Sequence, residues 1–243
     1  MKIIGLDSAV DEQKNGLVLF EYNNTDKLTF TALWDHHQDI VAQICDWLED
    51  GEQSLIGIDS PLGWPLQFSK GLQDHYAGMY LGKDANAFFR RETDIDIARR
   101  FHKTPLEVSA DRIGRTAFMT LKRIREISER SGREISLVWN ARDNYAAGFI
   151  EVYPAATLLA NKLDIKGYKK DYEVRLKIVT ELKRRYLIQG IDGIDIAKID
   201  HNFDACLCCF AAYDFLTGKS KAPEVITERI KREGWIWTRA IEQ

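Results

Sequence analysis

The chain of 243 residues is predicted to adopt an α/β fold, a mixed five-stranded sheet flanked by helices, with a helical insertion over 61–147 between the fourth and fifth strands. Three observations predict it. An apolar opening strand is followed by two β-rich segments joined through a short polar connector. An amphipathic helix then separates this meander from a fourth strand. Helical patterning dominates the rest, interrupted by one strand that a proline stops. A strand reached through a helix lies parallel to a neighbour, because the helix supplies the crossover, so the order reads as one mixed sheet.

The elements follow in chain order. KIIGLD (2–7) is the first strand. GLVLFEY (16–22) and KLTFTALW (27–34) are rich in β-branched and aromatic residues, and the turn formers Asn23, Asn24, Thr25 and Asp26 join them as a hairpin. Residues 38–50 place Ile40, Val41, Ile44, Trp47 and Leu48 at helical spacing before Gly51. SLIGID (54–59) is a fourth strand ending at Pro61, and GFIEVYP (148–154) a fifth, again stopped by proline. Within the insertion, Ile113, Ala117, Leu121, Ile124 and Ile127 predict a helix over 112–130. Further helices are expected from about Ala155, over 171–187 and over 202–216, with GWIW as a last extended segment.

Composition bounds the class. With 34 Lys+Arg against 37 Asp+Glu, a net charge of -3 and 45% hydrophobic residues, the chain is no disordered tract, collagen-like fibre or small disulfide scaffold. No run approaches the roughly 18 apolar residues that span a bilayer, and the opening MKIIGLDSAV does not read as a signal peptide. No repeat or linker divides residues 1–243, which read as a single domain in a cytoplasmic protein with no membrane partner. The 4 cysteines lack metal-site spacing; Cys206, Cys208 and Cys209, in an apolar helical run, read as small buried hydrophobes. Charge is uneven: residues 1–89 hold 5 Lys+Arg against 14 Asp+Glu, whereas 90–134 hold 12 against 8. An acidic site beside a phosphate-accepting surface would have this pattern.

Acids stand at or near the C-terminal ends of three predicted strands: Asp7, Asp59 and Glu151. In open α/β sheets ligands gather beyond those ends. A fourth, Asp204, is the one charged side chain between Phe203 and Tyr213, in a helix apolar on nearly every side and therefore buried; Asn202 is the expected N-cap, placing Asp204 in the first turn. Each acid has a structural explanation of its own. Asp7 and Asp59 suit turn chemistry and Asp204 a helix end, while Glu151 before a proline gains least from it. Together they repel and are costly to desolvate, and a divalent cation with oxygen ligands, Mg²⁺ or Mn²⁺, is the usual remedy.

The order βββαβ, with acids ending the first and fourth strands and an Asp on a late helix, resembles the RNase H-like superfamily. HNFDACLCCFAA, with His201, Asp204 and Ala205, is similar to the final helix of RuvC-type resolvases. The set GLDSA, IGIDSPLGWP, RRETD and EVYPAA resembles a domain-of-unknown-function family of predicted RNase H-like nucleases, over most of the chain. The resemblance implies that Asp7, Asp59 and Asp204 are metal ligands, with Glu151 as a further acid. It departs from RNase H at the first helix, where Asp46 and Glu49 lack the supporting pattern, and at the insertion.

The chemistry then expected is phosphodiester hydrolysis of DNA or RNA with two Mg²⁺ or Mn²⁺ ions about 3.5–4 Å apart. His201, one turn before Asp204, would shuttle a proton or stand as an ordinary helix histidine. Arg90, Arg91, Arg112 and Arg115, with Arg99, Arg100 and Lys103 and interleaved with Phe88, Phe89 and Phe101, would hold the phosphate backbone. Arg91 and Asp94 would pair at the site entrance. The same arginines also suit a solvated face paired with Glu92, Asp94, Asp96 and Asp111, and the aromatics, with Trp64 and Phe68, suit core packing. Two alternatives are a phosphotransferase of the actin-like or sugar-kinase type, whose phosphate loops need more glycines than GLDSAV and GIDSPLG offer, and a non-catalytic binding module on the same fold, indifferent to divalent cations.

Overall fold

The computed structural model describes residues 1–241 apart from 24–26, 37, 83, 110 and 191–192. The elements are β1 (Lys2–Asp7), β2 (Gly16–Tyr22), β3 (Leu28–Leu33), α1 (Ile40–Leu48), β4 (Ser54–Asp59), α2 (Leu66–Gly71), α3 (Ala85–Phe89), α4 (Glu92–Phe101), α5 (Asp111–Ser131), β5 (Ile135–Leu137), β6 (Ala147–Val152), α6 (Pro154–Ala160), α7 (Tyr172–Arg185), α8 (Gly193–Lys198), α9 (Asp200–Leu216) and α10 (Glu228–Glu233). The strands form one mixed sheet in the order β3-β2-β1-β4-β6-β5. β1, β2 and β3 are antiparallel, whereas β4, β6 and β5 run parallel to β1. This mixed sheet flanked by helices is compatible with an RNase H-like fold, with six strands where five were expected. The extra strand, β5, has three residues at the edge, too short for a periodicity of its own. Of the expected hairpin turn, Asn24, Thr25 and Asp26 lie outside the described residues.

Alternation along the strands sorts side chains onto two faces. Ile3, Val18, Phe20, Leu55, Ile150 and Val152 pack with α7, α8 and α9. Ile4, Leu6, Leu17, Ile56, Ile58 and Phe149 pack on the other side with Ile40, Val41 and Ile44 of α1 and Ile124 and Ile127 of α5. The sheet is thus a middle layer, apolar on both faces, which is why its central strands read as continuous hydrophobic runs.

Helix ends follow local chemistry. Asp39 caps α1 by accepting from the Ala42 amide, and Asp171 caps α7 by accepting from Glu173 and Val174. Pro154 opens α6, where its fixed φ and missing N–H cost nothing. One expected cap is corrected. α9 begins at Asp200 with Ile199 as its N-cap, and Asn202 lies inside the helix, so Asp204 sits in the second turn. The preceding α8 ends at Lys198, and the single extended residue Ile199 separates the two helices, leaving no room for a cap at 202. The tail runs beside β6, with Ile236 bridging Glu151 in parallel and the Trp237 amide donating to the Glu151 carbonyl at 3.0 Å. Among the described residues no helix is long and apolar enough to cross a membrane.

Candidate metal centre

Two strands and one helix build the site. β1 and β4 pair so that Asp7 lies opposite Asp59. Two residues earlier, on the same face of each strand, stand Gly5 and Gly57. α9 lies directly on them: a Cβ at Gly5 would overlap the Ala205 carbonyl, and one at Gly57 the Cys208 carbonyl. The missing side chains let helix backbone and sheet backbone approach closely. The helix answers with small residues at helical spacing, Ala205, Cys208, Cys209 and Ala212, all fully buried. The cysteines therefore act as the expected small hydrophobes, and their thiols are pushed up by burial.

This close packing carries Asp204 to the strand ends. One carboxylate oxygen from each of Asp7, Asp59 and Asp204 lies within 4.8 Å of the others. Asp204 is 0% exposed; its Oδ2 accepts from Lys169 Nζ, and its Oδ1 has no hydrogen-bond partner among the described residues. Asp7 Oδ2 lies 3.0 Å from His201 Nδ1. Burial raises the Asp59 carboxyl well above its usual range, and the Asp7 and Asp204 charges add to the rise. Burial likewise pushes Asp204 up to about 7, against the pull of the Lys169 ammonium. The hydrogen bond to Asp7 raises His201 above an ordinary histidine, in opposition to its partial burial. Three converging carboxylates, one with a buried oxygen left over, form a hard-oxygen donor set that suits Mg²⁺ or Mn²⁺, and the orphaned oxygen is what such an ion would satisfy.

Asp7 and Asp59 line a cleft of about 690 Å³, which Glu151 and Arg91 also border, while Asp204 is fully buried. One wall comes from between β4 and β6, with Lys103, Pro105, Leu106, Ile113 and Thr116; the other comes from Ile165, Gly167, Tyr168, Lys169 and Lys170. The cleft therefore combines acids, three lysines and apolar surface. Burial, reinforced by the Asp59 charge, pushes the Tyr153 phenol up to about 12, so it remains a neutral donor beside the acids.

Glu151 is not brought to this cluster. β6 pairs with β4 so that Glu151 lies opposite Ile58 and Val152 opposite Asp59. Glu151 is thus one residue out of phase with the two aspartates and emerges on the other face. There Arg91 grips it with two bonds, Nη1 to Oε2 at 2.8 Å and Nη2 to Oε1 at 2.7 Å, while the Leu62 amide adds a third at 3.1 Å. Arg91 also donates from Nε and Nη2 to Asp94, at 3.1 and 2.8 Å, and from Nη1 to the Glu233 carbonyl at 3.2 Å. All five guanidinium N–H groups are used inside the protein. Burial opposes the Arg91 charge, but Glu151 and Asp94 outweigh it and hold its pKa above the usual value. The pairing of Arg91 with Asp94 is present, but neither residue is offered to a phosphate, for they are 1% and 2% exposed.

The other expected phosphate contacts divide. Arg112 and Arg115 are exposed on α5, the helix that sends Ile113 and Thr116 into the cleft. Arg90 is half-buried, with its Nε 3.6 Å from Glu107. Arg99 and Arg100 both pair with Asp96, at 2.9 and 2.7 Å, but Asp96 is buried and Arg100 nearly so, with a further bond to Thr238 at 2.9 Å; only Arg99 lies on a solvated face. Phe88 packs over Gly71, and Phe89 against Phe68. Lys169 and Lys170, absent from the residues expected at the site, line the cleft. Their signal is faint: GYKK, with Gly167 at a φ of 83° that turns the backbone toward the acids.

Comparison with curated proteins finds no match, and comparison with solved structures finds none. Residues 5–228 match a protein family described as of unknown function, and this span includes Asp7, Asp59, Lys169, His201 and Asp204. With nearly its whole length so matched, the chain belongs to the DUF429 family.

Proposed function

We propose that the protein is a divalent-cation-dependent phosphodiester hydrolase acting on nucleic acid. The observation that carries this reading is the convergence of Asp7, Asp59 and Asp204 within 4.8 Å, with one fully buried oxygen unpartnered. Acids so placed are expensive to keep unless a cation joins them. Asp7, Asp59 and Asp204 would hold Mg²⁺ or Mn²⁺, which supplies Lewis acidity toward a phosphoryl oxygen and toward water.

The chain's own groups do the rest. His201 keeps Nδ1 on Asp7, which lines the cleft, and has Nε2 3.7 Å from Asp200, so its ring would hold or relay a proton at the Asp7 carboxylate. Lys103, Lys169 and Lys170 bring positive charge to a phosphate entering the cleft. Leu106, Ile113, Ile165 and Tyr168 form the apolar surface on which a sugar and base would rest. Exposed Arg112 and Arg115 extend the basic surface outward for the flanking chain.

The test is cleavage of labelled single- and double-stranded DNA and RNA with Mn²⁺ or Mg²⁺. Cleavage is expected with the ion, and Asp7→Asn and Asp204→Asn are each expected to lose at least about a hundredfold. Consumption of ATP without strand cleavage would favour a phosphotransferase. Indifference to both ions in binding and melting would leave a binding module.

A further inference from the structure

Resting on the metal reading above, we propose that Lys169 occupies the place of a second cation, so that the centre binds one divalent ion per chain. Three acids converge, because the register of β6 turns the fourth, Glu151, away from them and onto Arg91, which it shares with Asp94. Ionised to hold an ion, the three carboxylates would carry three negative charges. The Lys169 ammonium, paired with Asp204 Oδ2, offsets one of them. One divalent ion balances the remaining two; a second would leave the buried centre with excess positive charge, which desolvation penalises.

Lys169 is held where it is by the fold. Its neighbour Tyr168 is 5% exposed and packs its ring against Phe203 of α9, with centroids 5.8 Å apart. Arg175, itself buried, donates to the Tyr168 carbonyl at 2.8 Å and to the Ala197 carbonyl at 2.7 Å, tying this segment to α8. Gly167 turns the chain, and the Lys170 and Asp171 amides both return to its carbonyl, at 2.9 and 3.0 Å. A buried arginine bonded to carbonyls is a costly way to anchor a surface loop, and the result is an ammonium directed at a buried carboxylate. The Lys169 side chain is still 49% exposed, so it faces the cleft and any phosphate within it. Asp204 is served on one oxygen by Lys169 and left open on the other, which divides its two oxygens between the resident cation and the incoming ion.

The experiment is a Mn²⁺ titration of the full, metal-free chain, counting bound ions by electron paramagnetic resonance of free Mn²⁺ and by calorimetry. The wild type is expected to bind one ion. Lys169→Gln, which removes the charge from a half-exposed side chain, is expected to bind two, and Lys169→Arg, which keeps it, one. Circular dichroism and melting establish that the variants fold. Two ions on the wild type, or one on Lys169→Gln, would overturn the role given to Lys169 while leaving the metal centre standing. No bound Mn²⁺ on any of the three proteins would remove the metal centre itself, and this role with it.

Discussion

Two acidic clusters lie at the same end of the sheet and border the same cleft, yet they are opposites in how their oxygens are satisfied. On the α9 face, Asp7, Asp59 and Asp204 crowd together with one lysine and one histidine, and an Asp204 oxygen is left without a partner. Facing away from them, Glu151 and Asp94 accept four of the five bonds that Arg91 donates, the fifth goes to the Glu233 carbonyl, and the Leu62 amide donates to Glu151. The second cluster is saturated and joins four chain segments: the turn after β4, the start of α4, β6 and the end of α10. The first is under-satisfied. Burial alone does not distinguish them, since Asp204 and Glu151 are both inaccessible. The distinction lies in which acids have spent their lone pairs within the protein: one cluster is complete as it stands, and the other is the one that the proposed cation would complete.

Breaking the saturated cluster should have the largest effect. Arg91→Ala strands Glu151 and Asp94 without their donors, and removing one member of such a buried network costs about 3–5 kcal/mol. Urea unfolding would register it as a lower midpoint at unchanged slope. A loss under about 1 kcal/mol would deny the cluster its structural role.

The under-satisfied cluster should reveal itself through pH. The Asp204 carboxyl is raised from 3.8 to about 7 in the folded chain, so the folded state holds its proton more tightly than the unfolded state does. The associated stability is complete below the ordinary carboxylate value and is lost as pH rises through about 7. Metal-free protein should therefore weaken between roughly pH 4 and 7, by at most about 1.4 kcal/mol per pH unit. Asp204→Asn should flatten this slope, which melting temperatures across the range would measure. An unchanged slope in the variant would place the titration elsewhere.

A smaller effect of opposite sign is expected at Asp59, half-buried beside two like charges. Asp59→Asn should stabilise the metal-free chain by about 1 kcal/mol, because repulsion is relieved. The same urea experiment applies, and a destabilised variant would contradict the repulsion. Arg91→Ala and Asp59→Asn, both losses of a charged group at one sheet end, would then move stability in opposite directions.

Much of the architecture was legible in the residues alone, because local chemistry dictates it. Strand limits at 2–7, 16–22 and 54–59, the stripe of α5 and the all-round apolarity of α9 follow from period and burial. So did three of the four acids and the inert character of the cysteines. Even the close contact of α9 with β1 and β4 was written in the sequence as Gly-x-Asp in both strands, though its meaning appears only when a helix is seen lying on the glycines.

Register was decided by the tertiary structure alone. Whether Val152 or Glu151 stands beside Asp59 is a shift of one residue between strands separated by nearly ninety positions, and no local preference encodes it; yet that shift turns Glu151 from a candidate ligand into the counter-ion of Arg91. The position of Lys169 is of the same kind, set by a buried tyrosine, a buried arginine and a turn. Sequence alone could name the charges, because residue type carries charge; which charges meet depends on pairings between distant segments, and only the folded chain makes those.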